Sequence, residues 1–206
     1  LNLSSNMQEA VPQVIETAKE SQETLDLYGI GGKRTDDFGR QCLMARQLVE
    51  SGVRFVEVAS SGWDHHSSID TGLPRRCEEI DQPIAALLTD LERRGLLDET
   101  LVFWGGEFGR QPESQLLAGQ SSPGRDHNAA GYTVFMAGGG VRGGLAYGKT
   151  DELGYEAVED KVHLHDLHAT MLHLLGLDHE ALTYRYGGRD FRLTDVHGKV
   201  VHDIIS

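Results

Sequence analysis

A chain of 206 residues with 39% apolar side chains is long enough for one domain with a real core. Its formal charge of −13, from 32 acidic against 19 basic residues, sets it against nucleic acid and anionic membrane surfaces as partners. No run of about 18 apolar residues occurs, so no helical membrane span is expected. Cys42 and Cys77 are too few for a disulfide scaffold, and both are expected as buried thiols on the apolar sides of helices.

The spacing predicts a helix over residues 6–28 on the weak stripe Met7, Val11, Val14, Ile15 and Ala18, then a turn over Gly29–Lys33. A second helix is expected over 36–50, with Gly52 as its stop. Val53–Ala59 reads as a strand buried on both faces. A polar loop, Ser60–Pro74, precedes a long helix over 75–94 with the stripe Cys77, Ile80, Ile84, Leu87, Leu88 and Leu91. Leu101–Trp104 is expected as a short buried strand, residues 111–131 as a long polar loop, and Tyr132–Ala137 as a third strand. Asp166 is expected to cap a helix whose face is Leu167, Met171, Leu174 and Leu175 and whose stop is Gly176. One or two short strands close the chain, near Arg192 and near Val200–Ile204. This alternation is the rhythm of an α/β protein with a largely parallel sheet, in one domain over 1–206.

In such sheets ligands gather outside the carboxyl ends of the strands, and three motifs are expected there. Asp64-His65-His66 offers carboxylate and imidazole donors that suit zinc, manganese or iron, and Asp64 and His66 can meet on one ion if the loop bends. The same histidines, taken alone, also fit a solvated loop. Glu107, set among glycines, has an unscreened carboxylate that either binds metal or pairs with Arg110 or Arg125. Asp126-His127 lies in a loop long enough to be functional, with His127 as the third donor. His163 and His165 alternate along an extended segment, His168 and His173 share no helix face, and all four are expected as helix-surface or core residues. A serine nucleophile elbow, a phosphate loop and a dinucleotide fingerprint are all missing from the sequence.

Four stretches occur in order: Gly62-Trp63-Asp64-His65-His66, Gly106-Glu107-Phe108-Gly109-Arg110, Gly124-Arg125-Asp126-His127, and Ala137-Gly138-Gly139-Gly140-Val141-Arg142-Gly143-Gly144. With Asp166–Gly176 and Tyr184–Phe191, they make the chain resemble the domain-of-unknown-function 1501 family, a sulfatase-like branch of the alkaline phosphatase superfamily. The resemblance implies a three-layer α/β/α sandwich with a mostly parallel sheet, alkaline-phosphatase-like, with the amino-terminal part absent. It implies a metal-dependent hydrolase of sulfate or phosphate esters, acting on a small-molecule or glycan ester. Divalent ions (zinc, manganese or calcium) would be held by Asp64, His66, Glu107 and His127. Glu107, Arg110 and Arg125 would form the catalytic group, with Arg125 or Arg110 neutralising ester oxygens. Export to the periplasm follows from the same resemblance. Phe108 departs from the superfamily pattern, because the position after the carboxylate holds a side chain that cannot ligate metal. The alternatives are a non-catalytic binding or scaffold member and a fragment that does not fold alone.

Overall fold

The structure is a computed structural model and describes residues 20–116, 118–119 and 121–206. These form two compact units. One holds the described residues up to Thr100 together with Glu113–Asp126, and the other holds Leu101–Pro112 and His127–Ser206.

The first unit is helical: α1 (Gln22–Leu27), α2 (Asp36–Glu50), α3 (Ile69–Arg93) and a 3₁₀ turn over Leu97–Glu99. Most of the helix expected over 6–28 lies outside the described residues; Gln22–Leu27 of it is helical. Helix α1 starts where the Ser21 hydroxyl accepts the Thr24 N–H at 3.1 Å, as an N-cap requires. Helix α2 has the expected bounds, and the Val53 N–H closes it on the Leu48 carbonyl at 3.0 Å. Helix α3 begins six residues before the expected start. Ser68 and Ile69 donate to the carbonyls of Ser122 and Pro123, at 3.4 and 3.1 Å. A tertiary partner thus satisfies the helix start, which local sequence cannot reveal.

Tyr28, Cys42, Leu43 and Ala86 form the core of this unit, with Leu25, Leu27, Ile30, Phe38 and Leu87 around them. Burying a side chain such as Leu43 contributes roughly 1.5–3 kcal/mol. A polar cluster lies beside this core. Both Asp90 oxygens are used: they accept from the Tyr28 hydroxyl at 3.0 Å, Arg46 Nε at 2.9 Å and Arg94 Nε at 2.8 Å. Arg46, only 2% exposed, also pairs with Glu20 and Glu50. Its burial is tolerable because all three of its nitrogens face carboxylates. Burial pushes the Cys42 thiol up to about 12, so it is an inert core thiol. Cys77 corrects the expectation for its partner: it is exposed.

The second unit contains β1 (Val102–Trp104), β2 (Gly109–Arg110), β3 (His127–Asn128), β4 (Phe135–Ala137), β5 (Lys149–Thr150) and β6 (Ala157–Glu159). Helix α4 (Leu164–Leu174), β7 (Thr183–Tyr186), β8 (Arg189–Arg192) and a 3₁₀ turn over His202–Ile204 follow. The strands pair two by two, β1 with β4, β2 with β3, β5 with β6 and β7 with β8, and every pair is antiparallel.

The expected three-layer α/β/α sandwich with a mostly parallel sheet is therefore wrong for this chain. A parallel pair needs a crossover of a dozen or more residues, usually a helix. Between β1 and β4 the described chain has no helix; it reverses, and Val102 stands opposite Ala137. The strand expected over Val53–Ala59 forms no ladder with described residues, and Arg54, Phe55 and Glu57 are exposed. Charged Arg54 and Glu57 oppose burial on two faces, although the run is mostly apolar. Leu101–Trp104 is not a buried strand either, since Phe103 and Trp104 are exposed. Of the expected tail strands, the one near Arg192 exists as β8, whereas His202–Ile204 is a 3₁₀ turn. Helix α4 is capped by His163, with Asp166 at its third position accepting the His163 N–H at 3.0 Å. It buries Leu167, Ala169, Thr170 and Leu172, so the expected face was turned too far. No helix among the described residues is long and apolar enough to cross a membrane.

Burial holds the Tyr28 phenol well above its ordinary value, and the Asp90 carboxylate beside it acts the same way. The neutral phenol is therefore favoured by folding, and this stability is lost as pH rises above the ordinary phenol value of about 10. Urea midpoints are expected to fall across that range. Tyr28→Phe should begin about 1 kcal/mol lower through the lost hydrogen bond and then decline less steeply. Parallel slopes for both proteins would refute the assignment.

Candidate functional site

Asp64, His65 and His66 sit in the irregular stretch between α2 and α3. His65 and His66, adjacent in sequence, have different duties. The His65 ring lies over Gly72 of α3, where a β-carbon would collide with it, and its Nδ1 is 3.0 Å from the Trp63 carbonyl. His65 is thus a packing residue. His66 points its Nε2 to Asp64 Oδ1 at 3.1 Å and its Nδ1 to Asp126 Oδ1 at 3.9 Å. One imidazole therefore has a carboxylate on each nitrogen, and the side chains of Asp64 and Asp126 are more than half exposed.

The loop 111–131 reaches this place by backbone pairing. Gln115 and Gly124 exchange two backbone bonds at 2.8 Å, and the Arg125 N–H donates to the His65 carbonyl at 3.0 Å. Gly124 lies against the His65–Ser67 backbone so closely that a β-carbon would overlap it. The Ser122 hydroxyl donates to Asp70 Oδ1 of α3 at 3.0 Å. The first and third motifs of the sequence are thereby fixed to one another within the first unit.

In the second unit the second motif meets the end of the third. Strand β2 carries Arg110 opposite His127 in β3. The Phe108 ring packs on the His127 imidazole with centroids 4.3 Å apart. Glu107 stands on the exposed bend between β1 and β2. Buried Asn128 holds β3 in place: its Nδ2 donates to the Tyr155 carbonyl at 2.9 Å, and its Oδ1 accepts the Ala130 N–H at 3.0 Å. Sequence reasoning passed over Asn128 and did not count Asp126 among the site residues. The signal was present for both, as the two polar neighbours of a candidate ligand, His127.

The motifs do not line the carboxyl rim of a parallel sheet, since no such sheet exists here. Asp64 and His66 occupy a loop, Glu107 a bend, and His127 a two-residue strand. The separation of 3.1 Å between Asp64 Oδ1 and His66 Nε2 fits a hydrogen bond. It also fits two ligands of one ion, because donors at about 2.0–2.1 Å in a tetrahedral shell stand roughly 3.3 Å apart. The Asp126 carboxylate stands 3.9 Å from the other nitrogen, beyond hydrogen-bond distance, and adds negative charge beside the ring.

A helical unit and a unit of small antiparallel hairpins, with acid–imidazole groups in the loops, define the class of protein. The chain belongs to the family described as "Protein of unknown function (DUF1501)", whose model matches residues 1–205. No curated protein and no solved structure matches it.

Gly124→Ala is expected to destabilise the protein by roughly 1–3 kcal/mol through backbone overlap. Gly143→Ala, where a β-carbon meets open space, should change stability by less than about 0.5 kcal/mol. Denaturation midpoints compare the two, and equal midpoints would contradict the close approach.

Proposed function

We propose that the chain holds a divalent metal ion at Asp64 and His66 and serves a hydrolase of sulfate or phosphate esters. The observation that carries the reading is the Asp64–His66 pair, with Asp126 behind the imidazole. His127, which follows Asp126 in the chain, is proposed as a further nitrogen donor on the motif resemblance alone. One carboxylate and two imidazoles suit zinc or manganese better than calcium, which prefers oxygen donors throughout.

A bound ion would act as a Lewis acid on an ester oxygen. The protein's own part is positional. Asp126 sets a negative charge beside the His66 ring, and Asn128 holds β3, the strand that carries His127. Arg125 and Arg110 are the candidates to receive the remaining ester oxygens, where a guanidinium fork binds two at once. Glu107 is the candidate carboxylate for a second ion, although Phe108, packed on His127, can add no donor beside it. The proposed link to sulfatase-like members of the alkaline phosphatase superfamily rests on motif order and donor chemistry, and no longer on the sheet. Export is proposed on the same resemblance.

Zinc and manganese titrations of the full chain, followed by calorimetry, test the reading. Asp64→Ala, His66→Ala and His127→Ala should each weaken binding on the order of 100-fold, and Asp126→Asn on the order of 10-fold. Release of nitrophenol from nitrophenyl sulfate or phosphate should disappear in the same three variants. Metal affinity unchanged by His66→Ala would overturn the proposal.

A further inference from the structure

The histidines of the second unit form contacts that the proposed function does not use. His165 lies in the first turn of α4 and His173 in its last. The segment after Thr194 runs back along this helix. His197 stacks on His165, with centroids 5.6 Å apart and planes inclined 19°. His202 meets His173 edge-on at 5.4 Å. His163 adds a third ring, 4.9 Å from His165. The same segment is tied to α4 by two hydrogen bonds from its backbone to side chains, Lys199 N–H to Asp166 Oδ1 at 2.8 Å and Val201 N–H to Thr170 Oγ1 at 3.0 Å. Thus imidazole pairs bracket a docked segment at both ends.

We propose that His197–His202 is a proton-operated clasp on α4, closed while the paired imidazoles are neutral and opened when both rings of a pair are charged. Neutral rings stack without penalty, whereas two cations 5–6 Å apart repel. The pair at the amino end of α4 opens first. There the helix dipole opposes a positive charge. His165 Nδ1 is buried with no hydrogen-bond partner. In the cation both ring nitrogens are donors, so a charged His165 would leave an N–H without an acceptor. It escapes that cost by moving out, and the ring stacked on it goes with it.

The charged groups around the clasp set its limits. Asp166 accepts from the backbone N–H groups of both His163 and Lys199. At the other end His173 lines a surface depression with Asp178, His179, Glu180 and Val200. Glu180 is paired with Arg192, and His179 with the Thr194 hydroxyl. Asp203 faces Tyr147 at 3.5 Å. These acids, and the carboxyl end of the helix dipole, make the His173–His202 pair the more tolerant one. The open segment takes up more protons than the closed one, so opening is favoured as pH falls.

Hydrogen exchange of the Lys199 and Val201 amides in the full chain tests this, each rate scaled to its intrinsic value at the same pH. From about pH 7.5 to about pH 5.5, scaled exchange should rise on the order of ten-fold in the wild type. His197→Gln, at an exposed position, should keep the protection at the higher pH and lose most of the rise. His165→Phe with His197→Phe should abolish it. A flat wild-type profile, or an equal rise in wild type and His197→Gln, would overturn the proposal.

Discussion

Where residues 123–126 cross the loop 64–67, only backbone fits. Gly124 lies against the His65–Ser67 backbone, and the Arg125 N–H is bonded to the His65 carbonyl. Everything in the candidate site of the first unit hangs on this crossing. It turns Asp126 toward His66, and it places the carbonyls of Ser122 and Pro123 over the start of α3. A side chain at residue 124 would have to displace main chain, which is rigid compared with a rotatable side chain. The constraint is therefore steric before it is electrostatic.

The crossing also explains why a polar stretch with so little regular structure keeps a definite path. Gln115 and Gly124 close the 113–126 excursion with a pair of backbone bonds. Immediately after it, β3 pairs with β2 and Asn128 is held by backbone groups. Asp126 and His127, neighbours in sequence, are thus each fixed by a different set of contacts. Two residues joined by one peptide bond gain definite orientations without a helix or a long strand beneath them.

Much of the helical architecture was legible in the sequence, because 3.6-residue periodicity is a local property. Helix α2 shows this best, with a stripe through Phe38, Cys42 and Ala45 and a glycine stop. The start of α3 was placed too late because the polar stretch before residue 75 read as loop, when tertiary carbonyls satisfy the helix start at Ile69. The sheet was misjudged for a different reason. Short apolar runs such as Leu101–Trp104 carry no information about the direction of their partner. Direction is decided by what lies between the strands, and there the described chain has hairpins instead of a crossover helix. Of the site, the sequence showed that Asp64 and His66, two apart, could meet if the loop bends, but not that His65 packs on Gly72 while His66 faces Asp64. The duties of Asp126 and Asn128 depend on where loops cross, which no spacing encodes.

Charge gives the last constraint. A chain with net charge −13 repels an anionic ester at long range, so any such ligand must be drawn by local cations. Arg125 lies at the crossing and Arg110 stands opposite His127, each beside a motif rich in carboxylate and imidazole. Clustered acids such as Asp64 and Asp126 raise the electrostatic cost of binding an anion and lower that of binding a divalent cation. Under the proposed function a bound divalent cation would add to the attraction that local arginines offer an anionic ester.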